Sequence, residues 1–395
     1  MLKRLSLVGL FILLSCAPKE GYKTKYFGVH LRLGEVWDEK LKLAEDLGFN
    51  TIVIWDIFWK AESAGDVPSK KIDRQKILEL ARAIERVKSY GFRAVVKIHT
   101  LPGKVGLKGK DARYSWWMGF HFGGDAWLDG YWDNILKDVA LCAKRADALV
   151  IGNELYSLCV HTEAWSKLID KTRRIYKGKV VYASFFTSPI VEDKIWLIRL
   201  AKMFYGSYGL FRKVTDSIGE GRFRFETEEM EREVAKRLLS HRNKWREKLH
   251  AVGVNIYFPV WWYRSTPTVD GYKKAYVDAL LWKWGPFRFR LNYWNATRSF
   301  AGRKPLWITE FWVSDEDPDW GEPGHAKEIF TAFMDFWRDK AEAIFLWEGP
   351  TFWKSFIEEE VGQNINGARS SLPIFFSFRT YEPSENRPTL SRNTM

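Results

Sequence analysis

Eight short apolar runs, each set off from the next by an amphipathic or charged stretch, constrain this chain more than any other feature. They read KYFGVHL (25–31), TIVIWDIF (51–58), RAVVKIHT (93–100), ALVIGNEL (148–155), VVYASFF (180–186), AVGVNIYF (251–258), PLWITEFW (305–312) and AIFLWEGP (343–350). Several are near-continuous in apolar residues, the pattern of parallel strands covered on both faces. Between them, WDEKLKLAEDLGF and DRQKILELARAIERVKSYGF space apolar residues three and four apart and stop at Gly48 and Gly91, as amphipathic helices do. Eight strand–helix units predict an α/β fold of the (β/α)8 or TIM-barrel type. Chemistry in such barrels gathers where strands end and loops begin.

One connection breaks the regularity. Residues 187–250 separate the fifth and sixth runs, far more chain than a helix and its loops need. This predicts a helical insertion over 193–248. Its WLIRLAKMFYGSYGLFRKV segment carries Trp196, Leu200 and Phe204 beside Arg199 and Lys202, and a highly charged helix is expected from Glu226 to Lys248. An extra helical pair on the barrel's side, a lid over the cleft and a basic helix lying on a membrane all suit that pattern. The barrel domain is expected over 26–370, with a last helix from Thr351 to Asn366. The polar tail 371–395 is expected to be partly disordered.

The amino terminus reads MLKRLSLVGLFILLSC: a basic start at Lys3 and Arg4, an apolar run from Leu5 to Leu14, then a small residue before Cys16. It resembles the lipobox of bacterial lipoproteins. That resemblance implies a signal peptide over 1–15, lipid on the Cys16 sulfur and a tether over 16–25. The chain is therefore expected in the cell envelope, lipid-anchored and facing the periplasm or exterior. Cys142 and Cys159 suit either a disulfide or two free thiols.

The formal net charge of +13 suits nucleic acid, an anionic membrane or an acidic polymer. The basic residues are dispersed and no helix-turn-helix, zinc-ligand or RNA-binding pattern accompanies them, so nucleic acid is not expected as a partner. Aromatic residues make up 16% of the chain, including 21 Trp, an excess that suits flat platforms for the C–H faces of sugars. No GxSxG, P-loop, Rossmann or HExxH pattern occurs. Neither metal nor cofactor is expected in the chemistry.

What the strand ends offer is paired carboxylates. Run four ends in Asn153-Glu154, run seven in Thr309-Glu310, run six in Asn255-Ile256-Tyr257 and run eight in Trp347-Glu348. Two carboxylates on non-adjacent strands meet across a barrel mouth. About 5 to 5.5 Å apart, one attacks an anomeric carbon while the other protonates the leaving oxygen and later activates water. Both are expected at the solvent-facing rim. Glu348 suits either a subsite or a salt bridge.

Asn-Glu at strand four, Glu at strand seven, Tyr at strand six and Trp at strand eight resemble the retaining (β/α)8 glycoside hydrolases of clan A, and most closely glycoside hydrolase family 113, known chiefly for β-1,4-mannanases. The likeness runs over 26–350 and includes VKIHT, IGNEL, RRIYKGKVVYAS, VNIYFPV and GRKPLWITEFWVS. It implies Glu154 as general acid/base, Glu310 as nucleophile, Asn153 on the sugar 2-hydroxyl, Tyr257 on Glu310, and Trp347 as floor beneath the sugar. Lys97 and His99 match cleft-lining positions at strand three and suit equally a salt bridge and a core histidine, and Trp55, Asn255 and Trp312 complete the expected substrate-facing set. His250 and Asn255 stand where the family tends to carry acidic residues. The expected activity is retaining cleavage of a β-linked, β-1,4-mannan-like polysaccharide by a monomer. A non-catalytic glycan-binding lipoprotein, or an enzyme trimming the cell's own exopolysaccharide or envelope glycan, are the alternatives.

Overall fold

A closed sheet organises the chain. The computed structural model describes residues 24–60, 66–101, 124–155, 158–159, 161–184, 189, 244–257, 268–284, 287–313 and 324–357. The strands described are β1 (Tyr26–Arg32), β2 (Thr51–Lys60), β3 (Arg93–Leu101), β4 (Ala148–Asn153), β5 (Lys179–Ser184), β6 (Ala251–Tyr257), β7 (Ala279–Trp284), β8 (Phe287–Leu291), β9 (Leu306–Trp312) and β10 (Ala343–Leu346). All but β7 and β8 pair in parallel in the order β1-β2-β3-β4-β5-β6-β9-β10, and β10 returns to β1 to close the barrel. Each of the eight apolar runs supplies one barrel strand.

Residue alternation sorts the core into two layers. Val53, Val95, Val150, Val181, Trp307 and Phe345 fill the barrel interior. Their neighbours Ile52, Ile54, Val96, Leu149, Val180 and Ile308 pack outward against helices. Those helices are α1 (Asp38–Asp46), α2 (Arg74–Ser89), α3 (Gly124–Tyr131), α4 (Lys137–Cys142), α5 (Thr162–Ile175), α6 (Val269–Val277), α7 (Tyr293–Ala301) and α8 (Ala326–Trp337). The first two end as their sequences predict. Gly48 and Gly91 take φ of 78° and 84°, the left-handed turn that closes a helix and that a side chain would strain. Among the described residues no helix is long and apolar enough to cross a membrane.

Of the 193–248 insertion, only its end is described, as a 3-10 turn over Lys244–Lys248. Trp245 is buried there, stacked on Trp165 of α5 at 5.1 Å, with its indole N–H donating to the Cys159 carbonyl at 3.1 Å. Residues 190–243, the expected signal peptide with Cys16, the expected tether up to residue 23 and the tail from 358 lie outside the described residues, while 350–357 are helical. Cys142 and Cys159 are not joined in a disulfide. Burial pushes the Cys142 thiol up to about 11, which keeps it unreactive.

The connection from β6 to β9 holds α6, the antiparallel hairpin β7–β8 and α7. The signal was present in ALLWKWGPFRFRL: two apolar stretches, one strictly alternating, around a Gly-Pro pair.

Candidate active site

The barrel keeps regular register through its middle and loses it at one end. Register shifts fall between Val150 and Asn153 of β4 against β5, between Val254 and Asn255 of β6 against β9, and between Ile57 and Trp59 of β2 against β3. In β9 the extra residue turns two consecutive side chains inward. Thr309 donates its hydroxyl to Asn255 Oδ1 at 2.7 Å, and Glu310 reaches Lys97 across the barrel. A bulge does what simple alternation forbids. Immediately beyond β4, Glu154 has φ of 55°, and beyond β10, Glu348 has φ of 72°. They are the non-glycine residues with positive φ among those described, a conformation that costs of order 1–3 kcal/mol and collects at functional sites. Gly253, two residues before Asn255, is needed for close approach: a Cβ there would lie 2.7 Å from Thr309 Cγ2.

Glu310 is held by charge. Lys97 Nζ forms a short ion pair with its Oε1 and donates to the Thr309 carbonyl at 3.1 Å, while the Tyr257 hydroxyl donates to Oε2. Glu310 is 3% exposed and Lys97 is 0% exposed. The expected rim position therefore holds for Glu154, which is half-buried, and not for Glu310, which sits one layer deeper. Burial lowers the Lys97 ammonium below its ordinary value against the opposing pull of Glu310 and Glu154. Burial, then Glu310 and Glu154, raise the Tyr257 phenol well above its own, so it stays a donor. His99 Nε2 lies 3.6 Å from Glu310 Oε1. Burial first and Lys97 second hold that imidazole well below 6.5, so it is neutral and adds no charge to the pair.

Glu154 sits in a different field. Its Oε1 accepts from Asn255 Nδ2 at 2.8 Å, and the same amide donates to Asn153 Oδ1 at 3.1 Å. An amide donor faces it where a cation and a phenol face Glu310. Both carboxylates nonetheless act electrostatically on Lys97 and on Tyr257, which places them around one cleft.

Aromatic rings line the same mouth. Trp347 lies 4.6 Å from Trp55 and 5.4 Å from His99, nearly parallel to the latter, with Lys97 Nζ 5.7 Å from its ring. His30, on β1, lies 4.8 Å from Trp347 and uses Nδ1 on the Leu346 carbonyl at 2.9 Å. Nε2 of His30, Nε2 of His99 and Nε1 of Trp312 are buried without a hydrogen-bond partner, an unusual cost that a polar ligand would relieve.

The structure thus brings together Glu154, Glu310, Asn153, Asn255, Tyr257, Lys97, His99, Trp55 and Trp347. Trp312 pairs with Tyr257 in the β6–β9 register and is half-buried against the barrel–helix core. Cys16 lies outside the described residues. Sequence reasoning missed His30 and Thr309. His30 could have been found, since FGVHL alternates and places it inward at the end of β1. Among the described residues no cluster of His, Cys, Asp and Glu could hold a metal ion.

No protein-family model matches the sequence, and neither does the sequence of any curated protein. Solved structures do match in fold. A GH113 β-1,4-mannanase is similar with a TM-score of 0.50 at 12% identity, over 86% of this chain and 99% of that one. The GH113 β-mannanase of Alicyclobacillus acidocaldarius, solved with ManMIm, gives 0.44 at 14% identity over 84% and 88%. The endo-1,4-β-D-mannanase of Thermotoga petrophila gives 0.45 at 14% over 82% and 87%. The first of these likenesses establishes a shared architecture: the chain folds as a (β/α)8 barrel of the kind seen in GH113 β-1,4-mannanase.

Proposed function

We propose that the chain is a retaining glycoside hydrolase that cuts a β-linked, β-1,4-mannan-like polysaccharide from within. Glu310 is the nucleophile: Lys97 and Tyr257 each hold one of its oxygens, which fixes the direction in which the carboxylate attacks. Glu154 is the acid/base. It protonates the leaving oxygen in the first step and draws the proton from water in the second, which hydrolyses the glycosyl–Glu310 ester. The two roles require unlike surroundings. That difference, cation and phenol on one carboxylate against amide on the other, is the observation that carries the reading.

Asn153, hydrogen-bonded to Asn255, is positioned for the 2-hydroxyl of the sugar at the cleavage point, where a bond strengthening in the transition state lowers the barrel-mouth barrier further. Trp347 and Trp55 form the floor on which that sugar lies. The enzyme works at the cell envelope, held by lipid on Cys16.

The test incubates the protein with β-mannan, glucomannan, β-glucan, xylan and an acidic exopolysaccharide and follows product sizes. Shortening of mannan that vanishes in Glu310→Ala supports the reading. Cleavage of the acidic polymer alone would reassign the substrate to an envelope glycan. Binding with no cleavage of any polymer would replace the enzyme with a glycan-binding lipoprotein.

A further inference from the structure

The end of the barrel opposite the mouth is strongly basic, and the amino-terminal segment enters there. Thr24 and Lys25 bind the backbone leading into β10, through Arg338 and Glu342 carbonyls, before β1 begins. Lys25 is 67% exposed, and Arg93, at the start of β3, donates to its carbonyl at 3.1 Å. Around the same end, Arg173 and Lys177 close α5, and Arg303 and Lys304 precede β9. Arg173 donates to the Lys248 carbonyl, and the imidazole of His250, lowered first by burial, is lowered further by Arg173, Lys304 and Lys179, so these cations share one patch.

The carboxylates at this end are largely consumed. Glu342 is taken by Lys179 and Lys25, Asp147 by Lys88 and Asp170 by Lys248. Glu45, Asp46 and Asp339 remain as exposed acids. By contrast Arg93, Arg173, Lys177, Arg303 and Lys304 have no carboxylate partner among the described residues. Helix macrodipoles explain cations in a last helical turn, such as Arg173. They do not explain Arg93, Arg303 and Lys304, which lie beyond helix ends.

We propose that this end of the barrel docks on an anionic lipid surface and so points the mouth away from the membrane. The chain's own segment supplies the geometry. From Cys16 to Thr24 is eight residues, a reach of at most about 28 Å even when fully extended, so an amino-terminal membrane attachment keeps this basic end near the bilayer. Cations within a Debye length of an anionic leaflet then add to the hold. Docking rests on the expected attachment and is independent of the hydrolytic reading, since it concerns the opposite end of the barrel.

The full chain, reconstituted in phosphatidylcholine vesicles with and without about one third phosphatidylglycerol, is compared by hydrogen exchange. Protection of the turns 88–93, 173–179 and 302–305 is expected only with the anionic lipid, and raised salt should remove it. The Arg93→Glu, Arg173→Glu, Lys177→Glu, Arg303→Glu variant should lower that protection about tenfold or more. Its exchange elsewhere in the barrel reports whether it folds, and a titration of lipid charge on the unaltered chain reads the same contact without any variant. Equal protection in both lipids, protection confined to 193–248 or to the mouth, or no association with anionic vesicles would overturn the proposal.

Discussion

Glu310 and Glu342 are two nearly buried carboxylates at opposite ends of one barrel, 3% and 6% exposed, and each is paired with a lysine. Burial and pairing alone therefore do not mark a catalytic group. The surroundings separate them. Glu342 sits where register is regular, takes Lys179 on both oxygens at 3.2 Å and accepts the Trp307 indole N–H at 2.9 Å. Lys179 is 32% exposed, so water shares in its solvation. Glu310 follows a bulge, binds a lysine with no exposure, and has near it buried ring nitrogens without a hydrogen-bond partner. The Glu342 carboxylate is satisfied by its neighbours, whereas the surroundings of Glu310 leave room for a polar ligand.

The largest effect should separate the two at once. Glu310→Ala should lower turnover by about 10⁴ or more, whereas Glu342→Gln should leave it unchanged, both read on a soluble manno-oligosaccharide. A Glu342→Gln variant that lost activity to the same degree would dissolve the distinction. Glu154→Gln should cost about 10² to 10⁴ in rate, and less with a substrate whose leaving group needs no proton.

Stability should keep the order and narrow the gap. Lys97→Met strands the Glu310 charge in the interior and should cost about 3–5 kcal/mol in urea unfolding, while Glu342→Gln, whose lysines keep contact with water, should cost about 1–3 kcal/mol. The pH dependence sharpens the same contrast. Burial holds His30 and His99 at the mouth well below 6.5. The unfolded chain therefore binds protons that the folded one refuses, and the stability present above about pH 6.5 is lost as pH falls towards the folded values. Each such proton contributes up to about 1.4 kcal/mol per pH unit, so His99→Gln should flatten the acid limb of an unfolding-versus-pH curve. The smallest expected effect is that of Asn255→Asp. A second carboxylate beside Glu154 should move the alkaline limb of kcat/KM upward by about one pH unit, and an unchanged profile would remove Asn255 from the acid/base environment.

Much of this was legible in the sequence. The eight apolar runs became the eight barrel strands because near-continuous Val, Ile and Leu leave a parallel strand few other environments. Strand direction also distinguishes the two carboxylates: Glu310 ends its run and Glu342 precedes one, which assigns them to opposite ends of a parallel barrel. Register was not legible. Nothing in WITEFW reveals that Thr309 and Glu310 both turn inward, because a bulge depends on how neighbouring strands pair. Glu310's depth followed from the same shift, as did its meeting with Lys97, 213 positions away in the chain.

The central claim is that Glu310 attacks the sugar directly, and the anomeric form of the first product tests it most directly. Proton NMR of early manno-oligosaccharide hydrolysis should show the β-anomer appearing first and the α-anomer only as mutarotation proceeds, with no signal from Glu310→Ala. An α-anomer formed first would mean that water, not Glu310, attacks, and would contradict the account.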